Sequence, residues 1–188
     1  VTVSFNSSNN NVPLNLAGGI ATSVAVASAA SNGTATASGT SITYTPNSGY
    51  YGPDSFTYTA TNAGGTSAPA TASIVVNPAA PIANDVLATV AANSTANAVT
   101  LNITGGPPAS VAVPTGPSHG STSISGMTIS YTPTAGYSGS DSFTYTATNV
   151  TGTSVPATVS ITVTPPTLTL SAIATTGEAA TTPYSQTI

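Results

Sequence analysis

Nine residues, Asp54–Asn62, read Asp-Ser-Phe-Thr-Tyr-Thr-Ala-Thr-Asn and return letter for letter at Asp141–Asn149, 141 − 54 = 87 residues further on. Side chains on a strand alternate between its two faces. The run therefore sets Phe56, Tyr58 and Ala60 on one face and Thr57, Thr59 and Thr61 on the other, one side dry and one side wet. Asp and Ser ahead of the run, and Asn behind it, suit the turns that open and close a strand. A spacing of 87 residues is close to the size of one small β-sandwich.

The rest of the chain keeps that period without a gap. Val12–Gly19 lies on Val99–Gly106, Gly33 on Gly120, Ile42 on Ile129, Tyr44 on Tyr131 and Tyr50 on Tyr137. Matched punctuation at a fixed period marks tandem modules. In the second copy, alternation predicts strands at Val86–Ala92, around Val99, Leu101 and Ile103, and at Val111 with Val113. Further strands are expected at Ser121–Ile124, through Met127, Ile129 and Tyr131, through Phe143 and Tyr145, and through Val159, Ile161 and Val163. Seven short strands between Gly, Pro, Asn and Ser turns, with no sustained helical period, give an all-β fold of tandem immunoglobulin-like Greek-key sandwiches. Pro156, and Pro69 at the matching place, are expected early in the last strand, at an edge or a bulge, because proline has no N–H for a ladder.

The expected domains are residues 1–77, a first repeat lacking the counterpart of Pro81–Leu87; residues 78–164, a complete second repeat; and residues 165–188, a linker with the opening strand of a third unit. Pro78–Pro81 and Thr164–Pro166 are the junctions, and their prolines stiffen the links. Val1 reads as a start inside a domain, so the sequence is expected to be a piece of a longer chain.

Composition removes several classes of function. Charged residues make up 2% of the chain, against about 25% in an ordinary globular protein, with no Lys or Arg and a formal net charge of −4. Binding to nucleic acid, or docking on anionic lipid, needs basic side chains, so neither is expected. No apolar run is long enough to span a bilayer. Eight Tyr and three Phe with regular Val/Ile alternation argue against disorder. With no cysteine, each sandwich must hold by packing alone. Sheet edges are usually guarded by Lys and inward charges; here proline, glycine and short strands must serve, and a tendency to pair with other chains is expected.

Three stretches carry a resemblance: Pro81-Ile-Ala-Asn-Asp85, Pro117-Ser-His-Gly120 and Ile129–Tyr145. In that order and spacing they closely resemble the bacterial Ig-like, cadherin-like repeats of large surface and secreted proteins. The tail, Leu168-Thr-Leu170 to Pro183–Ile188, resembles the opening of Ig domains found in bacterial adhesins and autotransporters. The resemblance implies an extracellular stalk, spacer or adhesive module within a multidomain chain, beside neighbouring Ig-like domains. Relatives of the cadherin-like class often hold calcium between domains. This sequence departs from their pattern, with Val86 after Asp85 and no acid in Leu101–Gly106. Calcium takes six to eight oxygens, several of them carboxylates. Asp54, Asp85, Asp141 and Glu178 are scattered, so a structural calcium would be weak and no cofactor or metal is expected. Asp54 and Asp141 are read instead as anchors of the turn before the Phe/Tyr strand.

No catalytic or binding residue emerges, and no enzyme is expected. His119, the sole histidine, stands where the first repeat has Asn32, so it reads as a turn residue. Paired carboxylates for glycoside cleavage are lacking. Gly18-Gly19 and Gly105-Gly106 are followed by neither helix nor lysine and read as turns, not phosphate cradles. Tyr58 and Tyr145 read as core residues whose hydroxyls bond backbone; Tyr50, Tyr51 and Tyr137 sit in Gly-rich turns. Asn-x-Ser/Thr triplets at Asn6, Asn32, Asn93, Asn102 and Asn149 follow from the Thr-rich composition. Three functions stay open: a spacer or stalk of a surface adhesin or fibre, a filament subunit assembling with identical chains by strand addition through Leu168–Ser171, and a glycan- or protein-binding module.

Overall fold

The structure, a computed structural model, describes residues 1–168. Every regular element among them is a strand. The first repeat contains β1 (Thr2–Val3), β2 (Asn10–Val12), β3 (Ser23–Ser28), β4 (Gly33–Ser38), β5 (Ser41–Pro46), β6 (Gly52–Asn62), β7 (Gly65–Thr66) and β8 (Ala70–Val76). One sheet runs β1-β8-β6-β3, with β7 on β6; the other runs β2-β5-β4. The second repeat contains β9 (Pro81–Asn84), β10 (Val86–Ala91), β11 (Asn97–Val99), β12 (Asn102–Gly105), β13 (Ser110–Thr115), β14 (Gly120–Ser125), β15 (Thr128–Pro133), β16 (Gly139–Asn149), β17 (Gly152–Thr153) and β18 (Ala157–Thr164). Its sheets run β10-β18-β16-β13, with β17 on β16, and β11-β15-β14, with a separate pair β12-β9.

The period-two reading sets the core. In β18 the residues Ala157, Val159, Ile161 and Val163 are buried, while their neighbours face water. Phe143 and Tyr145 of β16 pack there with Ile129 and Tyr131 of β15. The first repeat repeats the arrangement with Phe56, Tyr58, Ile42 and Tyr44 against Ile74 and Val76.

Several expectations need correction. Met127 was expected inside but is 40% exposed, because it lies in the turn before β15 rather than in the strand. Pro156 and Pro69 stand just ahead of β18 and β8, not within them. Both strands are hydrogen-bonded on two sides, so an N–H-free residue inside them would break a ladder. The single opening strand expected at Val86–Ala92 is preceded by β9, which pairs with β12 in a different sheet. The expected third unit and its Leu168–Ser171 strand lie outside the described residues, apart from Leu168 itself.

In each repeat a strand near the N-terminal end runs parallel to the last strand. β10 pairs with β18 over six positions, Val86 opposite Val159 through Ala91 opposite Thr164. β1 pairs with β8 over two, Thr2 opposite Val75 and Val3 opposite Val76.

Candidate functional site

The most built-up polar site in each repeat is a carboxylate that ties the two sheets together, buried in the second repeat and half-buried in the first. Asp141 lies near the start of β16, and its side chain reaches the other sheet, where the Tyr131 hydroxyl of β15 donates to Oδ2 at 2.7 Å. The backbone N–H groups of Ser118 and His119 donate to Oδ1 and Oδ2, both at 3.0 Å, and Ser142 N–H donates to Oδ1 at 2.9 Å. Asp54 has the same four partners: Tyr44 at 2.7 Å, Ser31 at 3.1 Å, Asn32 at 3.0 Å and Ser55 at 2.8 Å. Burial works against ionisation of both carboxyls, but the tyrosine hydroxyl and three N–H donors outweigh it and hold them below the ordinary carboxylate value. The same contact, after burial itself, pushes the Tyr44 and Tyr131 hydroxyls well above theirs.

Asp54 and Asp141 were expected to act locally. Three of the four donors instead lie 10 to 23 residues away, so each carboxylate joins the two sheets as well as fixing its own turn. Gly120 and Gly33 belong to this site. A Cβ on either would overlap the ring of Tyr131 or Tyr44, which lies directly over the glycine.

The residue types of a hydrolytic triad do meet here, since Ser118, His119, Asp141 and Ser142 line one shallow groove. Their geometry is not that of a triad. His119 reaches Asp141 through its backbone N–H, while its ring lies flat on Tyr137, centroids 4.2 Å apart and planes within 3°. Both carboxylate oxygens are taken by N–H and hydroxyl donors.

Smaller ties repeat as well. Asn6 and Asn93, both with positive φ, accept the N–H of Gly49 and Gly136. Asn10 and Asn97 donate to the carbonyls of Tyr44 and Tyr131. Tyr50 and Tyr137 donate to the carbonyls of Pro53 and Ser140 three residues on, which fastens the turn tyrosines and leaves them half-buried. Tyr51 is 48% exposed and has Ser138 as its counterpart. Asp85 accepts the Thr158 N–H at 2.7 Å and thereby pins the start of β18 just after Pro156. Among the described residues, no three His, Cys, Asp or Glu side chains come together as a metal set would require. Nor, among them, is any helix long and apolar enough to cross a membrane.

Sequence reasoning missed the Tyr–Asp pairs and the Asn ties. The signal was present: Tyr44 and Asp54 stand ten apart, as do Tyr131 and Asp141, and each tie recurs 87 residues on.

The extracellular cadherin domains 3–6 of protocadherin gamma B2 match the chain with a TM-score of 0.52 at 11% identity, over 88% of this chain and 50% of that one. Human mucin-like protocadherin EC1-2 matches with a TM-score of 0.48 at 13% identity, over 88% of this chain and 95% of that one. The first likeness speaks for the fold alone, and the chain spans half the length of that structure. No curated protein sequence matches it. The family described as the bacterial Ig domain matches residues 2–75 and again residues 77–162. With two tandem copies covering most of its length, the chain belongs to the bacterial Ig domain family.

Proposed function

We propose that this chain is a non-enzymatic extracellular spacer, a stalk segment of a bacterial surface adhesin or fibre that carries tension along its length. One observation supports this most: the parallel pairing of β10 with β18 over six positions. In a parallel pair, the N-terminal end of the first strand and the C-terminal end of the last lie at opposite ends of the ladder. Tension on the two chain ends therefore slides the strands past one another and strains every ladder bond at once. An antiparallel pair pulled from one end would instead open one bond at a time.

The junction is consistent with a stiff spacer. Thr151 Oγ1 donates to Pro78 O at 2.6 Å and Asn149 Nδ2 to Ala79 O at 2.7 Å, so the proline linker is fastened to the second repeat. Polar ties built in the same way in both copies, with their oxygens occupied, suit a structural role for each. Stretching single molecules from end to end tests the proposal: a spacer of this design resists and then yields one repeat at a time.

A further inference from the structure

Where β16 and β18 run side by side in the second repeat, their sheet turns a hydroxyl-rich face to the solvent. Ser140 stands opposite Thr162 and Ser142 opposite Ser160. All four are exposed, while Asp141 and Ile161 between them are buried. Side chains paired in this way lie about 4.5–5.5 Å apart across the strands and about 7 Å apart along each strand. Together with Ser118 and His119, which follow β13, they line an open groove of about 470 Å³.

The groove is held rigid from below. The His119 N–H donates to Asp141, and its carbonyl accepts the Thr134 N–H at 2.9 Å and the Tyr131 hydroxyl at 3.3 Å. The His119 ring lies flat on Tyr137, whose hydroxyl is tied to the Ser140 carbonyl. The imidazole is thus fixed yet exposed, with the face away from Tyr137 open. Ser118 and Ser142 spend backbone N–H groups on Asp141, and Ser140 spends its carbonyl, which leaves their hydroxyls to a ligand.

The sandwich itself does not require this surface. At the matching places of the first repeat, Asn32 replaces His119, Pro53 replaces Ser140 and Val75 replaces Thr162. The Tyr44–Asp54 tie is built there all the same.

The lining chemistry selects the ligand. Anions are disfavoured, because the chain has no Lys or Arg and Asp141 lies in the floor. A cation finds no free carboxylate, since four donors already hold Asp141. An apolar molecule would strip water from the hydroxyls and return no hydrogen bonds. A neutral, hydroxyl-rich ring suits all of these groups: its C–H face lies on the imidazole while its hydroxyls exchange bonds with Ser and Thr. We propose that this groove binds a neutral glycan. The proposal does not rest on the spacer reading.

The sole histidine supplies the reporter, because its carbon-bound ring protons give isolated NMR signals. The 188-residue chain is titrated at constant pH with cellohexaose, maltohexaose, mannohexaose and chitohexaose, and with anionic hexagalacturonate. At least one neutral hexaose should shift the His119 signals saturably at millimolar concentration, and hexagalacturonate should not. Thr162→Val should weaken that binding about three- to tenfold, and Thr162→Val with Ser140→Pro by more. Both substitutions install the first repeat's own residues, so an unchanged urea midpoint is expected. Thr158→Val, exposed on the same strand but outside the groove, should leave binding unaltered. His119 signals that stay still with every neutral hexaose at tens of millimolar would overturn the proposal. So would shifts that survive the double variant, or equal shifts with hexagalacturonate.

Discussion

The Tyr131 hydroxyl meets Asp141 Oδ2 at 2.7 Å, from β15 on one sheet to β16 on the other. Tyr44 and Asp54 make the same inter-sheet tie at the same 2.7 Å. A hydrogen bond to a charged acceptor is worth about 1.5–3 kcal/mol, and deleting the acceptor strands its buried donors as well. Asp141→Ala should therefore cost about 3 kcal/mol in urea unfolding, and Tyr131→Phe about half as much. Equal, negligible costs for the two would mean that the tie contributes nothing.

The pH profile follows from the same pair. A carboxyl whose folded pKa lies below its unfolded value, about 3.9, contributes stability that is fully present above the unfolded value and lost as pH falls through the folded one. Asp54 and Asp141 are both of this kind. The urea midpoint should hold steady above about pH 5 and fall steeply below pH 4, and Asp54→Asn with Asp141→Asn should flatten that acid limb. At the alkaline end the sign reverses. Tyr44 and Tyr131, raised by burial and then by the carboxylate, contribute stability that is present below the unfolded tyrosine value and lost as pH rises above about 10. Their phenolate absorbance should appear together with unfolding, not before it.

Gly120 is required by its neighbour rather than by its own backbone angles. Its Cβ position is occupied by the Tyr131 ring and the Thr132 carbonyl. Overpacking of this kind costs about 1–3 kcal/mol. Gly120→Ala should destabilise the second repeat by that amount, whereas Gly116→Ala, with open space around it, should leave the melting temperature nearly unchanged.

The two copies of the repeated tyrosine should differ. Tyr145 is fully buried and bonds two carbonyls at 2.8 and 2.9 Å, while the contacts of Tyr58 are 3.3 and 3.4 Å. Tyr145→Phe should cost about 1–2 kcal/mol and Tyr58→Phe less than about 0.5 kcal/mol, read by chemical denaturation.

Much of the fold was legible because period-two alternation reports directly on which residues face the core. Phe56, Phe143, Ile129 and Val159 are all buried where alternation puts them. The duplicated run fixed the period, and with it the tandem architecture. Alternation carries no information about partners, and this is where the reading stopped. It could not show that β10 joins β18 in parallel, or that β9 leaves one sheet for another at Asp85. The Tyr–Asp tie was hidden for a similar reason. In the sequence Asp141 stands just ahead of an alternation of apolar and Thr residues, which looks like a local turn signal, and only the sheet-to-sheet packing brings Tyr131 onto it. Met127 shows the opposite failure: an apolar residue next to a strand keeps the parity of the core and still lies in a turn.

End-to-end stretching of single 188-residue molecules tests the central claim most directly, because it loads the parallel ladders themselves. Two unfolding events are expected, each lengthening the tether by roughly 250 Å. The six-position ladder should set the force at which the second repeat yields. Proline at Ala88, in the middle of that ladder, should lower the force of one of the two events markedly and leave the other unchanged. Two events whose forces Ala88→Pro leaves unaltered would contradict the account.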